Sequence, residues 1–179
     1  VFVAGGAVYG LSLGKPGALL SVAGVLIAFS FASSACYVLN DLRDVEQDRL
    51  HPRKRRRPIA SGAVSPGAAR MFAVGLLALA AAGVSMTFFG LGGRSAGVIT
   101  AGCVLAYVLN VVAYTHYFKH RPVMDVMSLA LGFVLRVLGG CAALAVEPSA
   151  WLLNCTFFIS MFLALGILSI VFCPLFGPF

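Results

Sequence analysis

The chain has 179 residues and a formal net charge of +7, with 60% hydrophobic and only 11% charged residues. Because soluble domains average about 25% charged residues, this composition excludes an ordinary soluble domain and indicates a membrane protein. In so apolar a chain, the excess of cations is typical of loops on the inner side of a membrane, and we expect no nucleic-acid partner.

Several apolar runs are long enough to cross a membrane, since a spanning helix needs roughly 20 apolar residues. They cover residues 17–39, 67–90, 95–117, 123–146 and 149–173, and residues 1–14 resemble the remainder of a sixth run. Each run is rich in small residues, which let helices approach closely in lipid. The sequence therefore predicts an all-α fold, a polytopic transmembrane helical bundle with five full spans and a partial first one. We expect residues 1–179 to form a single domain and, because the chain begins with Val1, to be a fragment of a longer protein.

The loops differ strongly in charge. Residues 40–66 and 117–122 hold most of the cations, namely Arg43, Arg49, Arg53, Lys54, Arg55, Arg56, Arg57, Lys119 and Arg121. The opposite loops hold only Lys15 and Arg94. The positive-inside rule then predicts a multi-pass membrane protein in which the loop over residues 40–66 faces the cytoplasm. Asp125 follows the second cationic loop, so both polar clusters are expected at one end of the bundle.

The first polar cluster comes directly after the 17–39 run. Asn40, Asp44 and Asp48 are four residues apart, so a helix that continues through residue 48 places them on one face, with Asp41 beside them. Like charges at this spacing repel each other, and a hard cation such as Mg²⁺ would offset that cost. Mg²⁺ is commonly held by one or two carboxylates together with substrate phosphates. The alternative is a solvated acidic helix end that nearby arginines neutralise.

A basic run follows at residues 51–62, His-Pro-Arg-Lys-Arg-Arg-Arg-Pro-Ile-Ala-Ser-Gly. Pro52 and Pro58 stop helix continuation and predict a shaped loop. Carboxylates for a metal beside arginines for phosphate oxygens are the two elements that a diphosphate site requires. Arg53 and Arg57 are the candidate phosphate contacts. The alternative is that these cations anchor anionic lipid headgroups.

The second polar loop contains Tyr117, Lys119 and Asp125. Lys119 can pair with a phosphate, Asp125 can bind a metal or orient a sugar hydroxyl, and Tyr117 is a candidate substrate contact. The structural alternative is a lysine that reaches the interface and an aspartate that caps the next helix.

Arg136 lies eleven residues beyond Asp125, about 16 Å deeper on nearly the same helix face. An arginine inside the membrane is expensive and normally faces the bundle interior or a water-filled cavity. Its partner could be the phosphate of an anionic lipid, or it could pair with helix carbonyls in a purely structural role.

Three segments carry a family resemblance. Residues 40–62 (NDLRDVEQDRLHPRKRRRPIASG) resemble the first signature of the UbiA superfamily of intramembrane prenyltransferases. Residues 117–126 (YFKHRPVMDV) and 129–140 (LALGFVLRVLGG) add a finer resemblance to its bacterial branch of decaprenyl-phosphate phosphoribosyltransferases. Typical prenyltransferases have a second Asp-x-x-x-Asp pair. Here Leu129 stands four residues after Asp125 and Lys119 precedes it, as in that branch.

The resemblance implies a UbiA-like bundle of roughly nine spanning helices. It also implies Mg²⁺-dependent transfer of 5-phosphoribose from phosphoribosyl pyrophosphate to a polyprenyl (decaprenyl) phosphate, for the synthesis of cell-wall arabinan precursors. The implied metal ligands are Asn40, Asp41, Asp44 and Asp48. The implied catalytic residues are Asp44, Asp48, Lys119 and Asp125, and the substrate-binding residues are Asn40, Arg53, Arg57, Tyr117, Lys119 and Arg136. The implied location is the cell inner (plasma) membrane, with residues 40–66 as a cytoplasmic active-site loop. Membrane lipids are further partners, and a homo-oligomer is possible.

Two other functions remain open at this point. A prenyltransferase of the same fold would move an isoprenoid from a prenyl diphosphate to an aromatic or quinone precursor. A non-catalytic transport or assembly subunit would use its charges for orientation only.

Overall fold

The computed structural model describes residues 17–118 and 122–172, and its regular elements are helices. They are α1 (Ala18–Arg43), α2 (Val45–Leu50), α3 (Pro66–Phe88), α4 (Gly93–Ala113), α5 (Pro122–Ala143) and α6 (Ala150–Phe172). A 3₁₀ turn at Lys54–Arg56 lies between α2 and α3, and a π-helical segment at Tyr114–Phe118 follows α4. Lys119 and the predicted partial span at residues 1–14 lie outside the described residues.

The helices are those of a membrane protein. Four stretches are long and apolar enough to cross a membrane: Ala18–Arg43, Pro66–Phe88, Gly93–Tyr117 and Val123–Ala143. The last helix, α6, has 23 residues and coincides with the predicted run at 149–173, although its side chains are described only as far as Gly166. The predicted all-α transmembrane bundle is confirmed, while the number of spans beyond these four stays a prediction.

Two helix ends differ from the sequence prediction. The prediction of one uninterrupted helix through residue 48 is wrong, because α1 ends at Arg43 and α2 begins at Val45, with Asp44 in a bend between them. The backbone N–H of Asp44 still donates to the carbonyl of Asn40, at 3.0 Å. The helix predicted to reach residue 146 ends at Ala143, and the chain turns at Ala145, whose φ is 52°.

Helices α1 and α3 are in backbone contact at two glycines. A Cβ atom added to Gly83 would lie 2.6 Å from the Ala28 nitrogen and 2.7 Å from the Gly24 carbonyl oxygen. Helix backbones approach this closely in membranes where the interface lacks side chains. Around this contact the core is built from small and apolar side chains, including Val25, Ala28, Phe29, Ala32, Ala80, Val104, Tyr107 and Ala143.

The helices bring the polar segments to one end of the bundle. We call this region the polar end; it comprises the C-terminus of α1, α2, the loop 51–65, the π-helical segment and the first turn of α5. The Arg43 guanidinium donates to the Thr115 carbonyl in the π-helical segment. The chain returns into the bundle at α3, where the Ser65 hydroxyl accepts from the backbone N–H of Ala68 at 3.2 Å and Pro66 occupies the first turn.

A Gly83→Ala substitution should destabilise the fold, because its Cβ requires α1 and α3 to separate. Overpacking a close contact typically costs about 1–3 kcal/mol, so the melting temperature of the detergent-solubilised protein should fall by several degrees. Gly75→Ala is the matched control on the same helix, since a Cβ at Gly75 meets nothing within 4 Å. Equal melting temperatures for the two variants, followed by circular dichroism, would contradict the close contact.

Candidate functional site

The bend at Asp44 divides the first polar cluster into two parts. In the first part, the Asn40 side-chain amide donates to Asp44 Oδ2 at 3.4 Å. Asn40 Oδ1 is buried and has no hydrogen-bond partner among the described residues. A buried amide oxygen without a partner is unusual, because burying an unsatisfied polar atom costs free energy. This oxygen is therefore a candidate ligand for a cation or a substrate proton.

Arg57 holds the second part of the cluster together. Its Nη1 atom donates to Asp41 Oδ1 at 2.8 Å and to Asp48 Oδ2 at 2.9 Å. Asp48 is buried, with 3% of its surface exposed, whereas the side chains of Arg57 and Asp41 are 39% and 34% exposed. An arginine of the chain itself thus offsets the repulsion between these two carboxylates, but Asp48 is buried and the helix end is not the solvated one that the alternative described.

The cations of the basic loop, residues 51–65, point in different directions. Its return to α3 is fixed by buried Ile59 and Ala60 and by the Arg49 Nε atom, which donates to the Ala60 carbonyl at 3.3 Å. Arg57 is turned toward the carboxylates. Arg53, the other predicted phosphate contact, is exposed, and its backbone N–H donates to His51 Nδ1 at 3.3 Å. The structure therefore brings Arg57 to the carboxylates and leaves Arg53 in the exposed part of the loop.

Tyr114 links the two polar clusters. Its hydroxyl lies beside Asp125, and it is close enough to Asp44 to feel the charge of that carboxylate. Sequence reasoning chose Tyr117 in this segment and missed Tyr114. Tyr117 is 76% exposed and its ring contacts His116, whereas Tyr114 faces the bundle interior. The sequence feature that could have identified Tyr114 is its position one turn before the second polar loop.

A cavity of about 350 Å³ opens beneath the polar end. It lies between α1, α4 and α5, with Asn40 and Tyr114 at the polar end of its wall and Arg136 on α5. Leu129, at the position where a second aspartate pair would end, is part of the wall. The cavity therefore connects the predicted diphosphate site with the intramembrane arginine.

Arg136 is bound by hydroxyl groups. Its Nη2 atom donates to the Tyr107 hydroxyl at 2.8 Å and to Ser33 Oγ at 3.3 Å. The guanidinium carbon also lies 4.8 Å from the centre of the Tyr107 ring and 5.4 Å from that of Phe133. The alternative of a pairing with helix carbonyls does not describe these contacts, because both acceptors are side-chain oxygens.

Two polar side chains fix the α4–α5 wall of the cavity. The Asn110 amide donates to the Ser128 carbonyl at 2.9 Å, and the Ser128 hydroxyl donates back to Asn110 Oδ1 at 3.2 Å. Such interhelical hydrogen bonds contribute about 0.6 kcal/mol on average in membrane proteins. These two bonds hold α4 against α5 along the cavity.

The donor set at the bend suits a hard cation. Within residues 17–118 and 122–172, no three Asp, Glu, His or Cys side chains converge as a self-contained metal cage. Mg²⁺ does not require such a cage, because it usually keeps waters and takes one or two carboxylates together with substrate phosphates. The unpaired amide oxygen of Asn40 and the carboxylate of Asp44 fit that pattern.

Comparisons with known proteins identify a family of membrane enzymes. The model of the UbiA prenyltransferase family matches residues 1–173. Decaprenyl-phosphate phosphoribosyltransferase of Corynebacterium glutamicum is 38% identical over 83% of this chain and 42% of its own length. The enzyme of the same name from Mycobacterium tuberculosis is 34% identical over 83% of this chain and 46% of its own length.

A solved structure shares the fold. A UbiA homolog from Archaeoglobus fulgidus bound to DMAPP and Mg²⁺ superposes with a TM-score of 0.67 at 23% identity, covering 89% of this chain and 56% of that one. The chain spans less than half the length of the curated relatives it matches.

Removing Arg57 should destabilise the polar end, because Asp48 would remain buried without its partner. An Arg57→Gln substitution is expected to lower the melting temperature, with a cost of about 1–3 kcal/mol for an unsatisfied buried group. Adding Asp48→Asn to that variant should restore part of the loss. Arg56→Gln is the matched control, since Arg56 is exposed. A melting temperature for Arg57→Gln equal to that of Arg56→Gln would refute the role of Arg57.

Proposed function

Because the chain belongs to the UbiA prenyltransferase family, we propose that the full-length protein is a membrane transferase that binds a diphosphate donor at its polar end. Its donor is phosphoribosyl pyrophosphate and its acceptor is a polyprenyl (decaprenyl) phosphate, so that the product serves cell-wall arabinan synthesis. The protein lies in the inner membrane with the polar end toward the cytoplasm. The observation that carries the proposal is the 34–38% identity to decaprenyl-phosphate phosphoribosyltransferases over most of the chain.

The polar end supports binding of the donor. Asn40 and Asp44 would hold Mg²⁺, which supplies positive charge to the donor's diphosphate when bound. Arg57 is already positioned by Asp41 and Asp48, so its remaining N–H groups are available to phosphate oxygens. Fixed donors of this kind stabilise the negative charge that develops on a departing pyrophosphate.

Asp125 supports the choice of a sugar donor. A carboxylate has two acceptor oxygens, so Asp125 beside Tyr114 could also accept from a ribose hydroxyl. Leu129 lines the cavity where a second metal-binding aspartate would otherwise stand, so the geometry favours one metal-binding cluster rather than two.

The chemistry then needs little from a general base. The bond between sugar C1 and the diphosphate oxygen breaks, pyrophosphate leaves, and a new bond forms between C1 and an oxygen of the lipid phosphate. That oxygen is already anionic, so no proton has to be removed from it. The described part of the cavity wall accordingly contains hydroxyl, amide and guanidinium groups without a histidine.

The assay that tests the proposal uses membranes containing the full-length protein, labelled phosphoribosyl pyrophosphate and a polyprenyl phosphate. Wild-type protein should form a labelled lipid, and Asp44→Asn should lower the rate by about 100-fold or more, the usual loss for one electrostatic group at a transition state. Glu46→Gln should leave the rate unchanged, because Glu46 is 79% exposed and pairs only with Arg49 among the described residues.

The same assay separates the other functions. Transfer of an isoprenoid from a labelled prenyl diphosphate to an aromatic acceptor, without a labelled sugar lipid, would replace the proposal by the prenyltransferase alternative. No transfer of either group would leave the transport or assembly alternative.

Tyr114 should act by positioning Asp125. Tyr114→Phe removes the hydroxyl beside Asp125, and a lost hydrogen bond is worth about 1 kcal/mol, so kcat should fall roughly fivefold to tenfold while the melting temperature stays within one or two degrees. Tyr117→Phe is the matched control, because its ring is exposed outside the cavity. Equal kcat values for the two variants would remove Tyr114 from the site.

A further inference from the structure

We propose that Ser33, Tyr107 and Arg136 form a subsite for a phosphate monoester within the membrane-spanning part of the bundle. The choice of phosphate among anions rests on the proposed function, since both substrates of that reaction carry a phosphate monoester. The need for an anion follows from the charge and the hydrogen-bond inventory of the three side chains.

The first argument is charge. Arg136 lies in the middle of α5, within a stretch long and apolar enough to span the membrane. The ion pairs of the described residues are Arg49–Glu46, Arg57–Asp41 and Arg57–Asp48, and none of them includes Arg136. Neutral hydroxyls and two aromatic faces surround its charge instead. A cation–π contact contributes about 0.5–2 kcal/mol, less than the cost of a central arginine in a membrane helix.

The second argument is the inventory of hydrogen atoms. The Tyr107 hydroxyl donates to Ser33 Oγ at 3.2 Å, and Arg136 Nη2 donates to both hydroxyl oxygens. Ser33 Oγ therefore accepts twice, and its own hydrogen has no acceptor among the described residues. The Nε and Nη1 hydrogens of Arg136 also have none. A guanidinium has five N–H donors and no acceptor, so the cluster has an excess of donors that an oxyanion would satisfy.

The third argument is position. All three side chains line the cavity that also reaches Asn40. Ser33 lies seven residues before Asn40 on α1, which places it about 10 Å deeper along the helix axis. A phosphate at the cluster and a diphosphate at the polar end would thus occupy the same cavity at two levels. The phosphate could belong to the lipid acceptor or to carbon 5 of the sugar donor.

The competing explanation is purely structural: Arg136 would only cross-link α1, α4 and α5. A structural role predicts a loss of stability when Arg136 is changed, without any selective change in phosphate binding. The two explanations therefore differ in binding rather than in melting temperature.

The test uses the full-length protein in nanodiscs and measures binding of two probes by calorimetry: a short-chain polyprenyl phosphate and ribose 5-phosphate. Arg136→Gln should raise the Kd of one probe by at least about tenfold, the effect of losing one charge-assisted hydrogen bond. The probe that weakens identifies the source of the phosphate, and KM for the corresponding substrate should rise in parallel. Unchanged Kd values for both probes would overturn the proposal.

A milder pair of variants guards against misfolding of Arg136→Gln. Ser33→Ala keeps the charge and removes one donor, so the same Kd should rise about threefold to tenfold. Ser34→Ala is its neighbouring control, because Ser34 is exposed and its hydroxyl donates to the Ser30 carbonyl. Equal binding by these two variants would also overturn the proposal.

The two proposals fail separately. A wild-type protein that binds a phosphate probe through Arg136 but forms no sugar lipid would contradict the proposed function alone. One that forms the lipid, with probe binding unaffected by Arg136→Gln, would contradict the subsite alone.

Discussion

The guanidinium of Arg57 lies between Asp41 and Asp48, and the shape of the polar end depends on that contact. Asp48 is nearly inaccessible to solvent, so its charge has to be matched inside the fold. Matching it requires the basic loop to turn back over the end of α1. That turn brings Arg57 to the carboxylates and leaves the neighbouring cations Lys54, Arg55 and Arg56 exposed. The contact of Arg57 with the two carboxylates thus determines which residues of the long basic run lie at the site.

Buried charges also have to be matched at two depths of the cavity. Near the polar end, the carboxylates of Asp41 and Asp48 share the guanidinium of Arg57, and Asn40 Oδ1 has no partner among the described residues, so the arrangement suits a bound metal. Near Arg136, donors outnumber acceptors and the arrangement favours anions. The α4–α5 wall, fixed by Asn110 and Ser128, spans both levels. A substrate with a metal-bound diphosphate and a separate phosphate group would match both levels at once.

Much of this could be predicted from the sequence, and the exceptions have physical causes. Apolar runs of spanning length predicted the helices, and the four-residue spacing correctly paired Asn40 with Asp44. The bend at Asp44 escaped prediction because residues 41–50 contain no helix breaker. Arg53 and Arg57 have the same side chain, and only the three-dimensional course of the loop separates them. Tyr117 was predicted as a contact because it begins the second polar loop, whereas in the structure the π-helical segment Tyr114–Phe118, with its wider turns, places Tyr114 rather than Tyr117 at the cavity.

The glycine contact between α1 and α3 has a mechanical consequence. Two helices whose main chains touch cannot slide or roll past each other without first moving apart, so α1 and α3 behave as one rigid plate. Changes in the width of the cavity are then confined to α4 and α5, where side chains rather than main chains form the helix contacts. Substrates of different width would be accommodated by displacement of α4 and α5, while Asn40 and Ser33 keep a constant spacing because both lie on α1.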